Sequence, residues 1–452
     1  MRVEDGRTSG IKERLTALRR TLVGAFGVMM VAVTLASALN YVFSIIMTRM
    51  LGETGAFANF NSLNAIFLIV SMGAMAFQTV ITKYVAEFEV KDERDKTRAL
   101  VHAFSRWLIL AGIVIIVVSV AVAWPLAHVL KLTSPLFVII AGTSVAIFLY
   151  LALPYGMLQG EQRFIGLGGA TIATSILRII IGVFLVAVGL SVYGALGAAT
   201  LAGTCVAGAV LYYYRDYFRE KPMPVEGFNP AHALWALVPI VVSIFLVIFM
   251  TQIDVVLVKA VKGAAEADRY SYGALAGKAV LFFPAGIPLV MFPRVSELRA
   301  KGEPTRRVLV WSLAACLLLE TAVVGFYALF PGFTSSFFAG KHGKEISNLT
   351  GILGIRFVLL FGLVMAVFAF VNILVYYHLA VDRRAFIGLL LLGAVAEVVG
   401  IIMFHGTLPD VLSVMLIVGG ILLIANLALA FTERPAPPDE RDFSNPAEMP
   451  IL

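Results

Sequence analysis

Long apolar runs separated by short polar stretches dominate this chain. Runs of about 20 apolar residues are typical of membrane-spanning helices, because a helix satisfies all of its backbone groups inside lipid. The pattern therefore predicts an all-α integral membrane protein with twelve transmembrane helices. The twelve segments cover residues 22–48, 56–82, 104–129, 135–158, 164–189, 192–214, 234–259, 268–293, 307–330, 351–378, 385–404 and 409–431.

Composition supports the membrane assignment. Of the 452 residues, 60% are hydrophobic and only 14% are charged, whereas soluble domains are about 45–50% apolar and about 25% charged. A secreted or cytosolic globule could not hide this excess. On this view, the basic residues that give the net charge of +7 lie in membrane-flanking loops. No nucleic-acid partner is therefore expected.

Basic residues predict the orientation in a cell (plasma or inner) membrane. With the N-terminus inside, 25 Lys and Arg residues fall on cytoplasmic segments and 7 on outer segments. Both termini are therefore expected in the cytoplasm. The predicted divisions are a cytoplasmic segment (1–21), an N-lobe (22–220), a cytoplasmic linker (221–233), a C-lobe (234–431) and a disordered, proline-rich cytoplasmic tail (432–452).

An internal repeat relates the two predicted lobes. The stretch Ile45–Phe88 is similar to Val255–Leu298 at an offset of 210 residues, and Phe164–Leu167 recurs as Phe386–Leu389 at an offset of 222. Six helices per lobe bring both halves into the membrane with the same polarity. The repeat predicts a parallel pseudo-two-fold along the membrane normal, with a cavity between the lobes.

Six charged residues fall well inside the predicted spans, away from their ends, and a charge near the bilayer centre costs at least about 2.5–3.5 kcal/mol. Each could belong to a buried structural pair, such as Glu320 with Arg356, or to a transport site. The two readings stay open for all six. The residues are Arg178, Asp254, Lys278, Glu320, Arg356 and Glu397.

Asp254 and Lys278 are the strongest functional candidates among these charges. They lie on the helix pair that repeats the first two helices. Lys278 is expected near the bilayer midplane, about 12 Å from the outer helix end, where transporter sites gather. There it could bind an anionic group, and Asp254 could couple transport to H⁺ or Na⁺.

Amide side chains take the place of charges in the first helix pair. They could hydrogen-bond sugar hydroxyls or simply pack helices together. Asn61 and Asn64 share a helix face, whereas Asn59 lies on another. The candidates for sugar binding are Asn40, Asn61, Asn64 and Gln78.

Proline and histidine complete the picture. Pro284, Pro288 and Pro293 predict that the eighth span is bent or broken, because proline removes a helix hydrogen bond. The six histidines show no metal-ligand spacing, so neither a metal nor a cofactor is expected. The sequence also offers no large exposed loop for catalysis, and an enzyme is not expected.

Several motifs carry a family resemblance that extends over about residues 20–430. Thr48–Gly52 with Gly55–Phe57, Gln252–Leu257, and Phe292–Glu297 resemble segments of polysaccharide and lipid-linked oligosaccharide flippases. Leu158–Gly160 with Arg163 and Phe164 resembles the same family's fourth helix. These flippases belong to the multidrug/oligosaccharidyl-lipid/polysaccharide exporter superfamily.

The resemblance implies a fold like that of multidrug and toxin extruders. It also implies an activity. The activity would be flipping of a polyprenyl-(di)phosphate-linked oligosaccharide to the outer leaflet by alternating access, for cell-surface polysaccharide synthesis. Lys278 and Arg49 would meet the diphosphate. The implied partners are this glycan carrier, membrane lipids, a coupling cation (H⁺ or Na⁺) and polysaccharide assembly machinery.

Two other functions compete with flipping. A cation-coupled drug or metabolite antiporter of the same fold would need an exchanging carboxylate, and Asp254, Glu320 or Glu397 could serve. A membrane glycosyltransferase or ligase would need a large outer catalytic loop. The cationic Lys278 near the midplane favours an anionic, lipid-linked substrate.

Overall fold

The computed structural model describes residues 29, 31–219, 230–350 and 354–432. The predicted N-terminal segment, and almost all of the predicted linker and tail, lie outside the described residues. Two compact units divide the chain, Met1–Val241 and Val242–Leu452. Across the described ranges the structure is helical, and its sole extended pairing is an isolated bridge between Thr350 and Arg356.

The first unit contains seven helices before the gap at residue 220. They are α1 (Val31–Met50), α2 (Ala56–Val90), α3 (Arg94–Val129), α4 (Leu136–Gly160), α5 (Phe164–Leu185), α6 (Ser191–Tyr213) and the short α7 (Arg215–Arg219). Helix α2 packs along α4, α3 along α4, and α5 along α6. The apolar core of this unit is formed around Ile81, Val85, Phe104, Leu153 and Met157.

A sharp reversal separates α5 from α6. Without it, the apolar stretch Phe164–Tyr213 would form one helix of 50 residues, about 75 Å long and far longer than a bilayer core of about 30 Å. A π-helical turn at Val186–Leu190 ends α5, with Gly189 at φ 95° and Ser191 at φ 43°. The stretch therefore holds two passes, as its two predicted segments require.

A hydrogen bond from Tyr214 connects the end of α6 to the α4–α5 turn. The Tyr214 hydroxyl donates to Glu161 Oε2 over 2.9 Å, and Arg163 Nε lies 2.8 Å from the same oxygen. Burial, and then the negative charge of Glu161, raise the pKa of Tyr214. These contacts hold the end of α6 against the α4–α5 turn.

The second unit begins within α8 (Pro230–Val261) and contains eight further helices. These are α9 (Ala264–Lys278), α10 (Gly286–Ala300), α11 (Arg306–Leu329), α12 (Pro331–Ala339), α13 (Gly343–Ser347), α14 (Phe357–Ala380), α15 (Ala385–Met403) and α16 (Leu408–Phe431). Helix α14 lies at the centre and packs against α9, α10, α11 and α16. The apolar core of this unit includes Val295, Cys316, Ile373 and Leu374.

The eighth predicted span is broken, which confirms the expectation from its prolines. Helix α9 ends at Lys278, a short 3-10 turn covers Ala279–Phe282, and α10 starts at Gly286. Pro284 lies in the gap between them. Lys278 consequently lies at the end of a helix, about 21 Å along α9 from its first residue, and its expected place near the bilayer midplane stays a prediction.

Among the described residues, eleven helical stretches are long and apolar enough to cross a membrane, and the α5–α6 stretch contains a reversal. Many large apolar side chains on α3 face outward, including Ile109, Ile113 and Val117. Such continuous apolar surface fits lipid contact rather than water. The protein is therefore an all-helical, multi-pass membrane protein. The pseudo-two-fold relation between the lobes stays a prediction.

Candidate substrate and ion sites

Arg178 is at the centre of a polar cluster in the first unit. It extends from α5 and donates to Asn40 Oδ1 on α1 and to Asn64 Oδ1 on α2, each over 3.0 Å. Its guanidinium carbon lies 4.6 Å from the centre of the Phe43 ring. Asn40 in turn donates to Ser175 Oγ and to Ala36 O, both over 2.9 Å.

This cluster can form only where α1, α2 and α5 pack together. Apolar residues beside the polar ones provide that packing. Ser175 and Arg178 are three residues apart, so they share one face of α5. Phe43 is fully buried beside Phe60 of α2. The Cβ that Gly182 lacks would overlap the Phe43 ring. These contacts bring α1, α2 and α5 close enough for the amides to reach the guanidinium.

Asp254 is at the centre of a second polar cluster, in the second unit. Its side chain is fully buried on α8, and Lys278 Nζ lies 2.9 Å from Oδ1. The hydroxyl of Tyr270 on α9 donates to Oδ2 over 2.9 Å. Lys278 also donates to Gln252 Oε1 over 3.2 Å. Both carboxylate oxygens are thus satisfied by donors from α9.

Glu397 on α15 extends the second cluster. It is fully buried, and neither carboxylate oxygen has a hydrogen-bond partner among the described residues. It interacts electrostatically with Asp254, Tyr270 and Lys278. An ionised carboxylate without hydrogen bonds is costly in apolar surroundings, so a proton or a metal cation would satisfy this group.

Glu320 lies apart from that cluster, on α11. It is also buried without a hydrogen-bond partner for either oxygen within the described ranges. Cys316 and Tyr327 are its electrostatic neighbours. The sequence suggested a pair of Glu320 with Arg356, and no such pair is present between these two described residues.

Arg356 is placed differently from the sequence expectation. It is exposed at the N-cap of α14 with extended backbone, and the helix starts only at Phe357. Gly354 just before it has φ 73°, in the left-handed region. This backbone interrupts the apolar run that placed Arg356 inside a span, so the intramembrane assignment of Arg356 is corrected.

The remaining predicted site residues lie outside both clusters. Gln78 donates to Gln159 Oε1 over 2.9 Å, within the α2–α4 contact. Arg49 is exposed near the end of α1. Asn61 is half-buried on α2, and its side chain makes no hydrogen bond to a described residue. Asn59 donates to Thr133 Oγ1 over 3.4 Å.

Sequence reasoning missed Tyr270, Gln252, Ser175 and Phe43 as members of the clusters. One signal could have found one of them. At the offset of 222 residues seen in the internal repeat, Glu397 corresponds to Ser175. Each residue contributes to the polar cluster of its own unit, one on α15 and the other on α5.

Among the described residues, no group of three His, Cys, Asp or Glu side chains is placed to hold a metal ion. In the first cluster, amide oxygens hold the cationic side chain of Arg178, and this arrangement is suited to exchange of anions. In the second cluster, the carboxylate of Asp254 holds the cationic side chain of Lys278, and this arrangement is suited to exchange of small cations.

Solved structures with the same fold are membrane transporters. An inward-facing multidrug resistance transporter of the multidrug and toxin extrusion (MATE) family, in the MOP superfamily, superposes with a TM-score of 0.67 at 13% identity, covering 89% of this chain and 98% of that one. The lipid II flippase MurJ, in an inward closed conformation, gives 0.67 at 12% identity, covering 89% and 87%. A MOP superfamily transporter from Pyrococcus furiosus gives 0.62 at 13% identity, covering 90% and 95%.

Sequence comparison gives the family. No curated protein matches the chain in sequence. The sequence profile described as "Polysaccharide biosynthesis protein" matches residues 22–299, which is more than half of the chain. The helical structure of the chain and its transporter-like fold agree with the profile match. The chain therefore belongs to the polysaccharide biosynthesis protein family and has the fold of the MOP superfamily of transporters, not that of an enzyme.

Proposed function

We propose that this protein moves a polyprenyl-diphosphate-linked oligosaccharide from the cytoplasmic to the outer leaflet by alternating access. Membership in the polysaccharide biosynthesis family carries this proposal. The fold shared with a lipid II flippase supports it, because that relative is named for a lipid-linked substrate. The plasma membrane, cytoplasmic termini and association with polysaccharide assembly machinery are parts of the same proposal.

We assign cation coupling to Asp254 and Lys278. A proton or Na⁺ arriving at Asp254 competes with Lys278 Nζ, which is 2.9 Å from Oδ1. Glu397 is close enough to interact with both groups and can receive the same cation. Cation binding would weaken the ion pair and free the Lys278 ammonium for the diphosphate. Substrate binding and cation binding would then favour each other to the same extent, because a coupling free energy between two sites is reciprocal.

Amides on α2 are assigned to the sugar. Asn61 is half-buried and makes no hydrogen bond to a described residue, so its donor and acceptor are available to hydroxyls. Gln78 would have to exchange its bond with Gln159 to take part. Arg49, exposed near the end of α1, would meet the diphosphate before release.

Flipping of a labelled substrate in proteoliposomes tests the proposal. The substrate is a polyprenyl-diphosphate oligosaccharide with a fluorescent sugar, and the readout is its accessibility to an outside quencher under an imposed H⁺ or Na⁺ gradient. We expect flipping by the wild type and loss of the gradient response in Asp254→Asn. Asp382→Asn, at an exposed position, is the control. A wild type that never flips the substrate overturns the proposal.

Drug or metabolite antiport is the second candidate, because the structure superposes equally well on a multidrug transporter. The buried carboxylates of Asp254, Glu320 and Glu397 are the groups such exchange would use. Uptake of an aromatic cation into the same proteoliposomes against an H⁺ or Na⁺ gradient distinguishes the two. Gradient-driven cation uptake without flipping would favour the antiporter.

A further inference from the structure

We propose that Arg178, held by Asn40 and Asn64, forms an anion-binding site in the first unit that takes the phosphate groups of the substrate. This inference rests on the proposed function for the identity of the ligand. The chemistry itself is that of a phosphate or diphosphate ester. The site gives the anion a contact that needs no prior cation binding, whereas Lys278 becomes available only after a cation weakens its pair with Asp254.

Lys278 and Arg178 differ in whether an acidic group balances their charge. Lys278 already has a carboxylate partner, since Asp254 Oδ1 lies 2.9 Å from its ammonium. The partners of Arg178 are instead the neutral oxygens of Asn40 and Asn64, and no acidic group among the described residues interacts with it. The positive charge of Arg178 is therefore uncompensated within the described part of the chain.

Amide oxygens position the guanidinium without neutralising it. They take two of its five N–H groups. The Nε–H is buried and has no hydrogen-bond partner among the described residues. The guanidinium carbon also lies 4.6 Å from the centre of the Phe43 ring, within the range of a cation–π contact. Arginine oriented in this way binds phosphate oxygens with paired hydrogen bonds, and Arg178 and Asn64 are both partly accessible.

A purely structural role for Arg178 makes the opposite prediction for one substitution. Asn40→Asp replaces the amide with a carboxylate of nearly the same shape, and its Oδ1 can still accept from Arg178 at 3.0 Å, although the donations to Ser175 Oγ and Ala36 O are lost. If Arg178 only holds helices together, the new ion pair leaves the affinity of the protein for a lipid diphosphate unchanged. If Arg178 binds an anion, the new carboxylate competes with that anion.

Binding of geranylgeranyl diphosphate to the purified full-length chain tests the site. The protein is placed in phosphatidylcholine nanodiscs, and affinity is measured for wild type, Arg178→Gln and Asn40→Asp. Both variants should bind at least about tenfold more weakly, the range of a lost charge-assisted bond. Arg384→Gln, which removes an exposed arginine, should bind as wild type does. If Arg178→Gln does not fold, Asn40→Asp decides the question.

Further arms identify the source of the anion. Geranylgeraniol, which lacks phosphate, should bind weakly to every variant. Inorganic pyrophosphate tests for a free anion, and discs containing phosphatidylglycerol test whether a lipid headgroup displaces the probe. Displacement that depends on Arg178 would support the site with a headgroup as its ligand.

The outcomes separate the site from the proposed function. Equal affinity of wild type, Arg178→Gln and Asn40→Asp for the lipid diphosphate would remove the site and leave flipping intact. Arg178-dependent binding of pyrophosphate by a protein that ignores the lipid diphosphate would keep the site and remove the proposed substrate. Tighter binding by Asn40→Asp than by wild type would also overturn the assignment.

Discussion

At the scale of single residues, the two polar clusters differ in how a buried cation is stabilised. Lys278 is 12% exposed and Asp254 is fully buried, so neither charge can rely on water. Removing one partner of such a pair leaves the other uncompensated, which costs more than the pair contributes. Arg178 avoids this dependence because neutral amides surround it.

The Asp254–Lys278 pair leads to a stability prediction. Asp254→Asn should lower the free energy of unfolding by about 3–5 kcal/mol, because it leaves the Lys278 ammonium without its counter-ion. Adding Lys278→Gln should restore part of the loss, since the stranded charge is then removed. Reversible unfolding in detergent, followed by circular dichroism, measures the cycle. The exposed pair Asp382 and Arg384 is the control and should show no measurable change. Strictly additive losses in the buried pair would contradict its coupling.

Residue types in the clusters were predictable from sequence, but the pairings were not. The cost of burying charge in lipid is enough to single out the charged members from their positions in apolar runs. These members are Asp254, Lys278, Arg178 and Glu397. Arg178 and Asn40, however, are 138 positions apart in sequence, and their meeting depends on which faces of α1 and α5 are turned together. Periodicity gives the apolar faces of a helix, and it does not give the neighbour that a face will meet.

At the scale of helices, apolar runs located the spans well and their ends poorly. Helix α3 starts at Arg94, ten residues before the predicted segment, because charged residues can continue a helix beyond the lipid. The break between α9 and α10 follows from proline chemistry and was predictable. The late start of α14 at Phe357 was not, since the residues on either side of the turn at Gly354 are apolar.

Close packing of α9 on α14 leads to a second stability prediction. The missing Cβ atoms of Gly273 and Gly277 would overlap the rings of Phe357 and Phe361, respectively. Gly277→Ala should therefore destabilise the protein by about 1–3 kcal/mol, the usual cost of overpacking. Thermal unfolding in detergent measures it.

Gly420→Ala is the matched control for that change. Gly420 also lies inside a helix, α16, but an added Cβ there meets nothing within 4 Å. The variant should keep its stability or gain up to about 1 kcal/mol from helix propensity. An equal effect of the two alanine substitutions would show that propensity, rather than the α9–α14 contact, sets the cost.

At the scale of the whole molecule, charge asymmetry and the helix order predict one topology. The α10–α11 and α14–α15 connections should face the cytoplasm, and the α1–α2 and α12–α13 connections should face outward. Cysteines introduced at Glu303 and Arg384 would report the inside, and cysteines at Glu53 and Lys341 the outside. All four positions are exposed, so labelling depends on the side of the membrane and not on burial.

Labelling of intact cells with a membrane-impermeant maleimide checks this topology. Cys205 and Cys316, the native cysteines, are first replaced by alanine. We expect Glu53→Cys and Lys341→Cys to react in intact cells, and Glu303→Cys and Arg384→Cys to react only after permeabilisation. With the reversal between α5 and α6, six predicted passes precede α8, so we expect both units to enter the membrane from the same side. Labelling of Glu53→Cys and Glu303→Cys from one side would contradict that parity and, with it, the parallel relation of the two lobes, because seven predicted passes separate these positions.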